Sequence, residues 1–206
     1  MKKILAIMAL ITVVVFGVFA SSSITVGAGG YGEFENSVYF VGPAIKLFTT
    51  SGNTFNDLTV ESPMWVWNVK NLDDVSSYIK NFDIDDSNFK FMQLVRANET
   101  FGLALNLLGD SGPVTLTLGV GGAVTMDGLF QDANNRLLVF KVGPGAVADL
   151  GISLARPLSI VIGVSANYPL FGLRSFTNNG STETNTFTID ESNIEASAHI
   201  GFGLRF

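Results

Sequence analysis

From Ile194 to Phe206 every second residue is apolar: Ile194, Ala196, Ala198, Ile200, Phe202, Leu204 and Phe206. Glu195, Ser197, His199, Gly201, Gly203 and Arg205 lie between them. A period of two puts alternate side chains on opposite faces of an extended chain, so this stretch predicts a strand with one greasy face. The alternation recurs upstream. Ser23 to Glu35 predicts a first strand, with Ile24, Val26 and Ala28 opposite Thr25, Gly27, Gly29, Tyr31 and Glu33. Val38 to Phe48 predicts a second, and Phe55 to Trp67 contains a third that Pro63 interrupts. Phe89 to Leu108 follows as one long strand, continuous or broken near Ala97-Asn98-Glu99. Strands beginning at Pro113, Leu137 and Leu158 and ending near Met126, Ala155 and Tyr168 complete the set.

The connections alternate in length. Turns at 51–53, 109–112 and 155–157 are short, whereas 68–88, 129–136 and 172–188 are longer. The last of these, rich in Ser, Thr and Asn, is predicted as a loop. The count is eight strands, or ten if residues 68–88 conceal two more.

Composition decides which solvent the greasy faces meet. The 206 residues include 22 glycines and 17 phenylalanines, and only 15% are charged. Alternation by itself also describes a secreted β-sandwich, whose apolar faces would pack on each other. Against that, the apolar faces of the later strands carry no charge and the opposite faces are mostly Gly, Ser, Thr and Ala. Strands of this length also exceed the usual globular range of about 5–6 residues. They cover the roughly 9–11 residues of a tilted membrane strand.

The chain opens Met1-Lys2-Lys3, stays uncharged from Ile4 to Phe19 and reaches Val18-Phe19-Ala20 before three serines. That is the layout of a secretory signal peptide, with cleavage expected after Ala20 and one domain spanning 21–206. Loss of Lys2 and Lys3 takes the net charge from −6 to −8. An acidic chain without a basic patch argues against nucleic acid. With no cysteine there is neither a disulfide framework nor a lipid-attachment thiol.

A secreted chain whose last strand alternates and ends on an aromatic resembles the small outer-membrane β-barrel proteins of Gram-negative-type bacteria. The resemblance implies an all-β fold, an antiparallel up-and-down transmembrane β-barrel of eight strands, set in the bacterial outer membrane and in contact with its lipid. It also implies that Ile200, Phe202, Leu204 and Phe206 are the signal read by the barrel-assembly machinery. Members of the class serve as anchors, adhesins, small pores and, in some cases, lipid enzymes, so no single activity follows. A structural or surface-interaction role through the outer loops is expected first, a narrow passive pore second, and a soluble binding domain third.

In such a barrel the polar faces point inward. Lys141, Asp149, Glu195, His199 and Arg205 then form a lumenal polar cluster, joined by Glu33 and Lys46. Charges in so narrow a lumen must pair. Catalysis finds no support, because His199 is the sole histidine and there is no cysteine to act as nucleophile. No cofactor or metal is expected. Gly27-Ala28-Gly29-Gly30-Tyr31-Gly32 matches G-x-G-x-x-G but lacks the strand-to-helix setting of a dinucleotide site. Asp83-Ile84-Asp85-Asp86-Ser87-Asn88 resembles a calcium loop without its glycine or its closing glutamate.

Overall fold

The computed structural model describes residues 21–33, 38–62, 65–67, 93–108, 112–130, 134, 136–188 and 194–205. The expected signal peptide, the calcium-like stretch 83–88 and Phe206 lie outside the described residues. Eleven strands run in chain order among the described residues. They are β1 (Ser21–Glu33), β2 (Val38–Ser51), β3 (Thr54–Glu61), β4 (Trp65–Trp67), β5 (Gln93–Asn106) and β6 (Val114–Phe130). β7 (Arg136–Ala155), β8 (Leu158–Asn167), β9 (Phe171–Asn178), β10 (Ser181–Thr188) and β11 (Glu195–Arg205) follow.

Eight of these close on themselves. The antiparallel path β7-β6-β5-β3-β2-β1-β11-β8 returns through the pairing of β8 with β7. The result is an up-and-down barrel, with β1 sealed against β11 from Ser23↔Arg205 to Glu33↔Glu195. Closure pairs every wall strand on both sides.

The alternation seen along the chain becomes an inside-out wall. Val26, Leu103, Val120, Ile200 and Phe202 face outward and are well exposed, whereas Thr25, Thr100, Thr117, Thr125 and Lys141 point inward and are buried. Apolar side chains outside and polar ones inside are stable only where the surrounding solvent is itself apolar. The outer face of β5 departs from this at Glu99, which it shares with Phe101 and Leu103. There it accepts a 2.8 Å hydrogen bond from Asn56 Nδ2 on β3, so the outer wall is not free of charge as expected.

Several boundaries differ from the sequence-based expectations, and β5 decides a choice the sequence left open. β5 runs unbroken through Ala97-Asn98-Glu99, because its full length pairs with β6 from Gln93↔Phe130 to Asn106↔Thr117. β6 itself continues past Met126 to Phe130. The segment 172–188, expected as a loop, is the hairpin β9–β10, paired edge to edge with the outer half of β7. Its turn, Asn179-Gly180, has both φ angles positive (49° and 81°), the conformation two-residue hairpins require. Its β10 half looked like a loop because alternation between two polar faces from Ser181 to Thr186 leaves no hydrophobic period to detect.

Paired glycines make the inner wall tight along two lines. Gly27 faces Gly201 across β1–β11, and Gly102 faces Gly121 across β5–β6. A Cβ on Gly27 would collide with the Ile200 carbonyl oxygen, and one on Gly121 would collide with that of Phe101. Four strands separate these seams on either side, so they stand opposite each other in the ring. At both, the sheet curves too sharply for an inward side chain. Gly121→Ala is therefore expected to destabilise the barrel by about 1–3 kcal/mol through overpacking. Urea unfolding of the refolded protein in detergent micelles measures it.

Candidate functional site

Between the seams the lumen is occupied by side chains. Toward the short-turn end, Phe48, Phe55 and Val147 form an apolar floor. Phe55 settles over Gly119, where a Cβ would lie 2.5 Å from the ring. Just above, Lys46 of β2 reaches across the barrel. Its Nζ lies 2.8 Å from Asp57 Oδ2 on β3 and 2.9 Å from Asp149 Oδ2 on β7. Thr59 Oγ1 donates to the other Asp57 oxygen at 3.3 Å. The span is possible because Gly163 stands on β8, where a Cβ would collide with Lys46 Nζ.

Toward the long-loop end lies a second ion cluster. Arg96 Nη2 of β5 lies 2.6 Å from Glu195 Oε2 of β11, and Nη1 lies 3.5 Å from Asp127 Oδ1 of β6. Lys141 of β7 pairs with Asp127 Oδ2 at 3.2 Å and with Glu195 Oε1. The Arg96 guanidinium also sits 4.0 Å from the centroid of the Tyr31 ring, which stacks on Phe40. That contact supplies cation–π attraction on the face the carboxylates leave open. Two cations and two carboxylates thus tie four strands together.

Neutral polar groups lie between the clusters. Asn98 Oδ1 accepts from Thr125 Oγ1 at 3.1 Å and from Asn167 Nδ2, while Asn98 Nδ2 donates to Ser165 Oγ at 3.3 Å. Ser165 and Ser197 hydroxyls are 2.6 Å apart. Among the described residues, both carboxylate oxygens of Glu61 and both ring nitrogens of His199 are buried without a hydrogen-bond partner.

The residues expected to form one lumenal cluster are distributed over three levels. Lys141 and Glu195 belong to the outer ion cluster, and Asp149 to the inner one. His199 is buried near the middle of β11, and Arg205 stands at the short-turn mouth, donating to Thr115 Oγ1 at 2.8 Å. Asp57, Glu61, Arg96 and Asp127 were not foreseen. Their signal was available as phase: Asp57 and Glu61 alternate with Leu58 and Val60, and Asp127 extends the Thr115-to-Thr125 series by one step. Of the expected assembly signal, Ile200, Phe202 and Leu204 are exposed on the outer wall.

No protein-family model matches the chain, and no curated relative matches it in sequence. Its fold is similar to that of the outer membrane protein OprG from Pseudomonas aeruginosa. The TM-score is 0.50 at 11% identity, covering 90% of this chain and 95% of the other. A major outer membrane protein from Thermus thermophilus aligns over 90% of this chain and 99% of its own, with a TM-score of 0.47 and 13% identity. Ail, the attachment invasion locus protein of Yersinia pestis, aligns over 90% and 98% with a TM-score of 0.43 and 10% identity. The fold is that of the small bacterial outer-membrane barrels.

Proposed function

We propose that this protein is an outer-membrane barrel whose closed lumen makes it a rigid scaffold and whose outer connections meet partners at the cell surface. The observation that carries this reading is the cross-barrel ion network. In it Lys46, Arg96 and Lys141 each bridge two carboxylates on different strands. Such a lumen is crossed at two levels by its own side chains. A cavity at the short-turn end, reached by Ser22, Thr50, Thr117, Asp149 and Arg205, has a volume of about 20 Å³. That is room for about one water molecule.

Among the described residues, neither ring nitrogen of His199 has a hydrogen-bond partner, so this reading assigns His199 no catalytic role. Reconstituted in planar lipid bilayers, the refolded protein is expected to give no stepwise conductance. Reproducible unitary steps would replace the scaffold with a narrow pore.

A further inference from the structure

The barrel wall closes on itself, but the hairpin built onto it leaves an open edge. In the strand path β10 is terminal, pairing with β9 alone among the described residues. Which of its backbone groups are free follows from the turn. A two-residue hairpin makes its flanking pair, Asn178 and Ser181, exchange both hydrogen bonds, and the pattern then alternates. Glu183 and Asn185 therefore direct N–H and C=O toward β9. Thr182, Thr184 and Thr186 direct theirs away from it, toward the open side. The 3.0 Å approach of the Thr177 and Thr182 hydroxyls agrees with this phase, because non-bonded pairs bring side chains closest.

Natural edges of this kind are normally protected by proline, lysine, a bulge or a covering segment. Ser181 to Thr186 contains neither proline nor lysine, pairs with β9 in unbroken register, and is exposed at every residue. Threonine is also among the best strand formers. The hairpin rises from a base where Leu170, Phe171 and Leu173 are exposed. Above that apolar base, every exposed side chain from Thr177 to Thr186 is polar.

We propose that the β10 edge is a docking strand that captures an extended segment of another polypeptide by strand addition. This rests on the surface-interaction reading and names its partner class. Recognition is through main-chain bonds to Thr182, Thr184 and Thr186, with β-branched or hydroxyl residues of the incoming strand packing on the threonine row. Glu183 is the charge on the other face of β10, and the chain carries a net charge of −6, so a segment bearing lysine or arginine fits better than an acidic one.

The test uses the full chain refolded in detergent micelles and a fluorescent synthetic peptide of alternating threonine, valine and lysine. Binding is read by anisotropy. Saturable binding is expected, as is its loss when alternate peptide nitrogens are methylated. Thr184→Pro removes an edge N–H while leaving the β9 ladder intact, and should weaken binding at least about tenfold. Thr184→Val should bind within about twofold of the parent, because the backbone is what is recognised. Heat-shift electrophoresis of both variants confirms a folded barrel. Absence of binding, equal loss in both Thr184 variants, or tolerance of Thr184→Pro would overturn the proposal. So would a micelle-bound dimer that Thr184→Pro dissociates, since a second copy would then occupy the edge. A non-conducting barrel that fails to bind the peptide sinks the docking strand alone, whereas unitary conductance sinks the scaffold reading beneath it.

Discussion

Replacing Arg96 with alanine is expected to cost about 3–5 kcal/mol, the range for a buried ion cluster that loses one partner. Arg96 is 1% exposed and holds Glu195, also 1% exposed, and Asp127. Without it Lys141 must serve both carboxylates, and Glu61, opposite Arg96 across β3–β5, loses the cation nearest in register. The transition in urea should move to lower concentration, and the folded band should lose its heat shift at lower temperature. Adding Glu195→Ala to the variant should recover part of the loss, because the orphaned charge goes with its partner. A double-mutant cycle isolates that coupling. If Arg96→Ala changes stability by less than the scatter between preparations, the network does not hold the lumen shut.

Leu103→Arg tests the wall instead of the lumen. Leu103 is 66% exposed and lies beside Val120, itself exposed, across β5–β6. In water, such a substitution at an exposed site would be close to neutral. Facing hydrocarbon it should cost up to about 2–4 kcal/mol if it lies near the bilayer midplane. Glu183→Arg on the hairpin is the control, expected to have little effect. Equal behaviour of the two variants in bilayers would mean that the greasy face does not meet lipid.

Much of the barrel was legible because its wall obeys one rule. From β6 to β8 and in β11, inward residues are mostly polar or small and outward ones mostly apolar, with Leu137, Val139, Val147 and Val161 the buried apolar exceptions, so period and phase could be read without neighbours. Where the rule lapses, so did legibility. Asn56 and Glu99 bond to each other on the outer face, which put a polar pair in the apolar phase and made Ala97-Asn98-Glu99 look like a break. In β10 threonine alternates with Glu and Asn, so the strand carried no hydrophobic signal. Its existence depends on the positive φ angles of Asn179 and Gly180 and on the outer half of β7, which supplies the strand β9 pairs with.

Alternation, glycine content and low charge are local properties, and they determined by themselves that the chain would form long antiparallel strands with a polar inner face. Partner choice was beyond them. Lys46 meets Asp149, and Arg96 meets Glu195, across gaps of about a hundred residues in the chain. Only the closing of β1 against β11 brings those strands around one axis. The division of the lumenal charges into two clusters and the facing glycine seams are consequences of that closure, and the open edge at β10 follows from where the hairpin joins the closed wall. They arise from which strands meet, and a period of two carries no information about that.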